Sequence, residues 1–253
     1  LLDSKIKKLF KIFYLNDLLN YDELKSFLDN NSIKKSLKLG ILKKKNDQYK
    51  FNISFIPYKN YIFIRDTHSI YESHFDPQKS KDNIWMGSDS IIFLNFLNNY
   101  LKKNYFNKIL EIGSGSGIVI NSISKRFKKC EALDFNMRAV EFTLLNSIIN
   151  NISNIKVYRS NLFKNVKGKF DLIIANPWFV DLKKGGLEEA PGIIKNLDKY
   201  LNEDGACLLI LNSYVKKGND TVLNYFLELL ESKKYDVNLY TNGYGYETNR
   251  IKD

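Results

Sequence analysis

Apolar positions follow two different periods along this chain, and these periods separate predicted helices from predicted strands. Spacings near 3.6 residues predict helices, whereas short continuous apolar runs predict buried strands. From about residue 84 onward the two kinds of segment alternate, which is typical of a parallel sheet with crossover helices. The predicted strands are Ile109–Ile112, Cys130–Leu133, the segment that opens at Val157, Leu172–Ala175, Ala206–Leu211 and Tyr235–Tyr240. The predicted helices are Ser90–Leu101, Ile118–Phe127, Arg138–Asn151, Leu187–Leu201 and Asn219–Ser232.

The N-terminal part has a different pattern. Helical spacing covers residues 1–30 and Ser32–Leu39, and alternation at Tyr49, Phe51 and Ile53 then predicts a strand. Three helices followed by a hairpin are the outline of a winged helix, so we divide the chain into a helical, winged-helix-like domain (1–66) and a larger domain (67–253). The lysines of the third helix could bind nucleic acid. We favour the alternative, in which this N-terminal domain guides the substrate or only packs against the larger domain.

The segment Lys108–Gly117 carries the first chemical signal. An apolar strand runs into Gly113, Gly115 and Gly117, and a helix is predicted to begin at Ile118. Glycine permits a tight turn and a close approach of the backbone, and the start of a helix presents free N–H groups. A strand, a glycine turn and a helix in this order are the context that a nucleotide-type ligand requires.

Two further signals follow at the ends of later strands. Asp134 ends the second strand about twenty residues beyond the glycine turn, where a doubly wound sheet places the carboxylate that binds a ribose. The fourth strand runs directly into Asn176, Pro177, Trp178 and Phe179. The order of these signals and the short helical spacers between them favour one ligand site.

With these motifs the chain resembles the class I S-adenosylmethionine-dependent methyltransferases over about residues 83–253. It is most similar to the branch that carries an Asn-Pro-Pro-Tyr or Asn-Pro-Pro-Phe tetrapeptide. That branch includes the release-factor and ribosomal-protein glutamine N-methyltransferases and the small-domain ribosomal RNA guanine methyltransferases. The resemblance implies an α/β fold with a Rossmann-like, doubly wound, mostly parallel sheet of seven strands.

The resemblance also implies S-adenosyl-L-methionine as the cofactor and a set of site residues. The implied cofactor-binding residues are Glu111, Gly113, Ser114, Gly115, Gly117, Asp134, Phe135, Asn161, Leu162 and Asn176. The implied catalytic residues are Asn176, Pro177, Trp178 and Phe179. Met86, Gly87 and Ser88 match a segment that closes over the methionine end of the cofactor, although Ser88 or Asp89 could simply cap the following helix. Asn146 matches an Asn of the glutamine-methylating branch, and an exposed polar position is the equal alternative.

The tetrapeptide indicates how a methyl acceptor would be held. Amide and exocyclic amine nitrogens are poor nucleophiles, because their lone pair is delocalised. The side-chain oxygen of Asn176 and the carbonyl of Pro177 could accept both N–H hydrogens, while Phe179 stacks on the planar group. This chain departs from the family at Trp178, which replaces the second proline, and at Asn161, where the family usually has Asp.

The amino-acid composition indicates the class of protein but not its substrate. The 253 residues are 44% hydrophobic and 14% aromatic, which is typical of a globular protein with a buried core. No apolar run approaches the roughly 20 residues of a membrane span, and the lysine-rich N-terminus does not read as a secretory signal. The net charge of +11 would suit nucleic acid, but lysine supplies nearly all of it and only five arginines are present.

The cysteine and histidine residues do not indicate a further site. Cys130 and Cys207 lie in apolar runs and are expected to be buried, reduced thiols. His68 and His74 have no further ligand at a convincing spacing, so we expect no metal site.

The leading hypothesis is therefore a cytoplasmic N-methyltransferase that acts on a planar nitrogen. A glutamine or similar amide in a release factor or ribosomal protein is the preferred acceptor, with a ribosomal RNA base or a small molecule as alternatives. A nucleic-acid-binding relic without activity is the rival from another class. No membrane partner is expected. Neither the acceptor nor the oligomeric state follows from the sequence.

Overall fold

The structure is a computed structural model that describes residues 4–13, 17–67, 84, 86–177, 189–211, 215–216, 219–231 and 235–240. Trp178, Phe179 and both histidines lie outside these residues, so the predictions made for them are not addressed by the structure.

Three helices and a hairpin form the N-terminal unit. They are α1 (Ser4–Phe13), α2 (Tyr21–Lys25), α3 (Asn30–Lys38), β1 (Leu42–Lys45) and β2 (Gln48–Phe51). Each of them contributes to one separate apolar cluster, which is formed by Ile12, Leu19, Leu24, Ile33, Leu42, Tyr49 and Phe51. The order of elements is the predicted one, and the winged-helix assignment and the domain boundary at residue 66 stay predictions.

The first hairpin turns within two residues. Asn46 and Asp47 have φ angles of +50° and +59°, the left-handed pair that a tight two-residue hairpin turn requires. Lys43, Lys44 and Lys45 are therefore strand residues, and Lys45 pairs with Gln48.

A second antiparallel hairpin follows directly. It consists of β3 (Ile53–Tyr58) and β4 (Tyr61–Asp66), and Lys59 with a φ of +52° lies in the turn between them. Asp66, at the end of β4, accepts a hydrogen bond from the backbone N–H of Ile84 at 2.9 Å.

The remaining elements form a sheet covered by helices. In chain order they are α4 (Ser88–Tyr100), β5 (Lys108–Ile112), α5 (Ile118–Ile123), β6 (Lys129–Asp134), α6 (Met137–Ile149), β7 (Ile155–Arg159), β8 (Phe170–Ala175), α7 (Ala190–Tyr200), β9 (Leu201–Leu209), β10 (Val215–Lys216), β11 (Asn219–Asp220) and α8 (Thr221–Glu231). Short 3-10 helices cover Ser124–Arg126 and Leu162–Asn165.

Five of the strands pair in parallel in the order β7-β6-β5-β8-β9. The chain moves outward from β5 through β6 to β7, and it then returns to the other side of β5 with β8 and β9. The order reverses between β5 and β8, and ligands of open α/β sheets bind outside the carboxyl ends of the strands at such a point. The predicted doubly wound, Rossmann-like fold is therefore confirmed.

Both faces of the sheet are buried, as expected for parallel strands. Ile109 of β5 and Leu172 and Ile174 of β8 pack with α4 and α5 on one face. Leu110 of β5 and Ile173 of β8 face the other side, where they pack with α7. This alternation follows from the two-residue period of a strand.

Two differences from the predicted elements concern the C-terminal part. Residues 235–240, predicted as a strand, are irregular: Tyr235 binds the carboxylate of Asp198, and the ring of Tyr240 lies 4.7 Å from that of Phe96. The sheet accordingly has five strands within the described residues, and the two further predicted strands are not seen there. None of the described helices has the length and apolar content needed to cross a membrane.

Candidate active site

The turn after β5 is shaped by its three glycines. Gly113, Gly115 and Gly117 have φ angles of +73°, +54° and +73°, which side chains rarely tolerate. The N–H groups of Gly113 and Ser114 both bind the carbonyl oxygen of Leu133, at 2.9 and 3.0 Å. The end of β6 therefore fixes the start of the turn.

Asp134 lies beside this turn. The backbone N–H of Gly115 donates to its Oδ2 at 3.0 Å, and the N–H of Asn136 donates to its Oδ1 at 2.9 Å. Burial raises the pKa of the carboxyl group above its usual value, and these N–H bonds oppose that shift. The predicted meeting of the glycine turn and Asp134 is thus present.

Glu111 lies behind the turn, not on its surface. Its side chain is 2% exposed, and Oε2 accepts a hydrogen bond from the N–H of Ile120 in α5 at 3.2 Å. Burial raises the pKa of Glu111 well above its usual value, and the nearby Asp134 adds to this effect. The side chain thus ties the strand before the turn to the helix after it.

Three of the implied cofactor-binding residues, Phe135, Asn161 and Leu162, follow β6 and β7. Phe135 is 63% exposed, its carbonyl oxygen accepts from Arg159 Nε at 2.9 Å, and the guanidinium of Arg159 lies 5.2 Å from its ring centre. Asn161 is exposed, and Leu162, with a φ of +44°, is half-buried. An exposed aromatic ring and an exposed amide thus stand beside the ends of two neighbouring strands.

Helix α6 supports the glycine turn with polar side chains that the sequence did not single out for this task. Ser114 and Thr143 share a hydrogen bond of 3.0 Å between their hydroxyl groups, and Thr143 donates to the carbonyl of Gly115 at 3.1 Å. Asn146 is fully buried and donates to the carbonyl of Ser116 at 2.8 Å. The alternative of an exposed Asn146 is therefore wrong.

Asn176 stands at the carboxyl end of β8, across the switch point from the glycine turn. Its Nδ2 donates a hydrogen bond to Oδ2 of Asp89 in the first turn of α4. Its Oδ1 is buried and has no hydrogen-bond partner among the described residues. Pro177 is buried next to it.

The contact with Asp89 was missed because the sequence pointed to a capping role. The helix was expected to start at Ser90, with Ser88 or Asp89 as its cap. It begins at Ser88 with Gly87 as the N-cap, and no side-chain hydrogen bond is made from that cap. Because a side chain in the first helical turn can point along or away from the helix, local sequence could not reveal the partner 87 residues away.

Comparison with known proteins decides the family. A sequence model of the family described as "Methyltransferase small domain" matches residues 81–238, more than half of the chain. The chain belongs to the methyltransferase small-domain family. The name of this family agrees with the methyltransferase activity that the resemblance implies. The N-terminal unit lies outside the matched residues.

The relatives of this methyltransferase have two kinds of name. A Methanocaldococcus jannaschii protein named "Putative protein N5-glutamine methyltransferase" is 32% identical over 162 residues, which are 59% of this chain and 74% of that protein. Escherichia coli "Ribosomal RNA small subunit methyltransferase C" is 30% identical over 138 residues, 54% of this chain. The alignment spans only 38% of that enzyme, and likewise 38% of its Salmonella arizonae counterpart, which is 29% identical.

Solved structures of methyltransferases also align with part of the chain. A methyltransferase from Pyrococcus furiosus is 26% identical, with 56% of this chain and 71% of that chain covered at a TM-score of 0.47. A SAM-dependent methyltransferase from Aquifex aeolicus is 17% identical, with 63% and 88% covered at a TM-score of 0.46.

The residues at the turn of this methyltransferase fit the cofactor of its family. A Cβ atom built on Gly113 or Gly115 would meet no protein atom within 4 Å, so the space beside both residues is open. The carboxylate oxygens of Asp134 lie next to that space, and such oxygens accept hydrogen bonds from sugar hydroxyl groups. Within the described ranges, no three His, Cys, Asp or Glu side chains stand close enough together to hold a metal ion.

Both thiols are free, and they take no part in this site. Cys130 is buried in β6, and its pKa is raised to about 12 by burial. Cys207, on β9, is only half-buried by exposed area, and burial of its thiol raises the pKa to about 12 as well. Such thiols hold their protons at neutral pH, so neither suits a nucleophile.

Proposed function

We propose that this methyltransferase acts on a planar nitrogen, and that its acceptor is a side-chain amide of a protein, as in glutamine. One observation carries the proposal: at the carboxyl end of β8, Asn176 has a buried acceptor oxygen that finds no partner in the part of the chain that the structure describes. Leaving such an acceptor unsatisfied costs about 1–3 kcal/mol. An N–H group of a substrate amide would satisfy it.

The cofactor would be held by the glycine turn and the strand ends beside it. Asp134 would accept hydrogen bonds from the ribose hydroxyl groups, and Gly113, Ser114, Gly115 and Gly117 would line the approach of the cofactor. Phe135, Asn161 and Leu162 would surround the adenine, and Glu111 would hold the turn in place from behind. When bound, S-adenosylmethionine supplies an electrophilic methyl group.

The chain's own contribution to the reaction is to position the acceptor nitrogen. Oδ1 of Asn176 would accept one N–H hydrogen of the acceptor, and the carbonyl oxygen of Pro177 would accept the other. Both contacts orient the nitrogen and draw electron density toward it. Phe179 would stack on the planar group and Trp178 would wall the pocket; both roles rest on the sequence alone.

The preference for a protein amide is supported by the extent of similarity. The alignment with the Methanocaldococcus relative spans 74% of that protein, whereas the alignments with the ribosomal RNA enzymes span 38% of theirs. A ribosomal RNA base is the second candidate, because those enzymes are 29% and 30% identical over 138 residues and the chain has a net charge of +11. We place the protein in the cytoplasm, where both acceptors occur.

The proposal is tested first by calorimetric titration with S-adenosylmethionine and S-adenosylhomocysteine. We expect micromolar binding that weakens sharply in Asp134→Ala and changes little in Asn176→Ala. Labelled-methyl transfer to release factors, ribosomes and ribosomal RNA then identifies the acceptor, and Asn176→Ala should abolish it. Full turnover by Asn176→Ala would show that the acceptor site is elsewhere.

The rival function predicts different results. A non-catalytic nucleic-acid-binding protein would bind RNA strongly in low salt, lose that affinity as salt rises, and retain it in Asn176→Ala without any turnover by the native chain. That combination would contradict the proposed methyl transfer.

A further inference from the structure

The hydrogen bond between Asp89 and Asn176 joins the first turn of α4 to the end of β8. Asp89 is half-buried, and its Oδ2 receives the Nδ2–H of Asn176. The helix does not use a side chain to cap its N-terminus. The carboxylate therefore serves a contact with another part of the chain instead of its own helix.

This contact decides which end of the Asn176 amide faces away from Asp89. An amide has a donor end and an acceptor end, and a rotation of 180° about its last side-chain bond exchanges them. A carboxylate has only acceptors, so it binds the NH₂ end and leaves the oxygen on the other side. Oδ1 itself has no partner among the described residues, so the hydrogen bond from Nδ2 to Asp89 is the contact seen there that fixes the orientation of the amide.

The orientation matters for chemistry at this position. An acceptor nitrogen that carries N–H hydrogens is attracted by Oδ1 and repelled by an NH₂ group. A hydrogen bond from Nδ2 to a charged carboxylate also polarises the amide, which strengthens Oδ1 as an acceptor.

Gly87 leaves the room that the Asp89 carboxylate occupies. A Cβ atom at residue 87 would overlap with Oδ1 of Asp89. The backbone of Gly87 has φ −91° and ψ 174°, which any residue can adopt, so its lack of a side chain matters for space and not for backbone conformation. Replacing Gly87 by Ala would push the carboxylate away while both polar side chains remain in the chain.

We propose that Asp89 is a positioning residue that orients the amide of Asn176 so that its oxygen faces the acceptor nitrogen, and that Gly87 provides the space for it. This inference rests on the proposed function of Asn176 and adds a residue that acts through it.

The kinetic test compares Asp89→Asn, Asp89→Glu and Gly87→Ala with wild type, using whichever of release factor or ribosomal RNA the wild type methylates. Asp89→Asn keeps the size of the side chain but can bind either end of the Asn176 amide. We expect kcat to fall about 10- to 100-fold in Asp89→Asn and in Gly87→Ala, the effect of a misplaced reacting group. Partial recovery is expected in Asp89→Glu, which keeps the carboxylate.

A merely structural role would change other quantities. For Asp89→Asn we expect the calorimetric Kd for S-adenosylmethionine and KM for the acceptor to stay within about twofold of the wild-type values, and the thermal midpoint to stay within a few degrees. Asn95→Ala, an exposed change on the same helix, is the matched control and should behave as wild type. If kcat is unchanged in Asp89→Asn and Gly87→Ala while Asn176→Ala is inactive, the inference is wrong and the proposed function stands.

A spectroscopic measurement tests the contact without turnover. The side-chain NH₂ resonances of Asn176 are identified in a ¹⁵N-labelled protein by their loss in Asn176→Ala. They should shift in Asp89→Asn and Gly87→Ala but not in Asn95→Ala. Resonances that stay in place would overturn the inference, even if the wild type methylates none of the acceptors and the proposed function fails.

Discussion

Asn146 donates a hydrogen bond of 2.8 Å to the carbonyl oxygen of Ser116 and thereby anchors the glycine turn to α6. The same side chain makes two hydrogen bonds to the backbone of Ile64 in β4: it accepts from the N–H at 2.7 Å and donates to the carbonyl at 2.8 Å. Asn150 binds the N–H and carbonyl of Ile62 in the same way. The side-chain amides of Asn146 and Asn150 thus make hydrogen bonds to the backbone of β4 of the kind that a neighbouring strand would make.

Helix and strand geometry explain why this works. Residues four apart on a helix are about 6 Å apart along its axis, and residues two apart on a strand are separated by about 6.6 Å. Arg138, two turns earlier in α6, adds a side-chain contact to the same strand, with Nε 2.8 Å from Oδ2 of Asp66. The β3–β4 hairpin is therefore held to α6, the helix that supports the glycine turn.

Substituting Asn146 by Ala should destabilise the fold and weaken the cofactor site together. The change leaves buried backbone groups of Ile64 and Ser116 without partners, so we expect a loss of about 3 kcal/mol in the free energy of unfolding. For a chain of this size the thermal midpoint would fall by about 10 °C. Calorimetric titration should also show weaker S-adenosylmethionine binding.

Asn150→Ala is the matched control, because its contact with Ile62 is exposed. We expect a loss of only about 1 kcal/mol and nearly unchanged cofactor affinity. Equal effects of the two substitutions in urea unfolding would contradict a special role for the link between Asn146 and Ser116.

The three glycines of the turn should differ in their tolerance of alanine. A Cβ atom at Gly117 would lie 2.8 Å from Cγ2 and 2.9 Å from Cα of Thr143, whereas at Gly115 it would meet nothing within 4 Å. Gly115→Ala should therefore cost only the strain of a left-handed residue, about 1 kcal/mol. Gly117→Ala should cost at least about 3 kcal/mol, since backbone and helix must also move apart.

Thermal unfolding of both variants without cofactor measures this difference. In Gly115→Ala, with a near-normal fold, the added methyl group should instead reduce S-adenosylmethionine affinity, because it enters the proposed approach of the cofactor. Equal stability of the two variants would argue against the tight packing of the turn on α6.

The parts of this site that could be predicted are those that depend on the order of motifs along the chain. The order and spacing of the motifs favoured one ligand site that includes the glycine turn and Asp134, and a hydrogen bond of 3.0 Å joins Gly115 to Asp134. Asp89 and Asn146 could not be assigned, since their partners lie more than 80 residues away and depend on how the helices dock. A strand was also predicted at Tyr235–Tyr240, but these residues are irregular: Tyr235 binds Asp198, and the ring of Tyr240 packs against that of Phe96.

Glu111 should make stability depend on pH. Its ordinary pKa is 4.5, and burial raises that of the folded protein well above this value. Above pH 4.5 the unfolded chain releases the proton while the folded protein retains it, so the free energy of unfolding should fall as pH rises toward the folded-state pKa.

Glu111→Gln removes this effect, and its side-chain oxygen can still accept from the N–H of Ile120. We expect the variant to be more stable than wild type at neutral pH, with the gain shrinking toward pH 4.5. Urea unfolding between pH 5 and 8 measures it, with Glu141→Gln on the exposed face of α6 as the control. Parallel profiles for wild type and Glu111→Gln would show that Glu111 does not titrate differently in the two states.

Cofactor affinity should depend on pH in the opposite direction through Asp134. The pKa of its carboxyl group is raised by burial, and only the ionised form can accept hydrogen bonds from both ribose hydroxyl groups. Affinity for S-adenosylmethionine should therefore increase, by up to about tenfold per pH unit, as pH rises toward that pKa, and level off above it. Calorimetric titrations in a pH series that begins near the ordinary carboxyl pKa of 3.8 and rises to neutral pH measure this. Asp134→Asn should bind more weakly with no such rise, whereas Glu111→Gln, which keeps Asp134, should retain it. A rise that persists in Asp134→Asn would assign the pH dependence to another group and remove Asp134 from the proposed ribose contact.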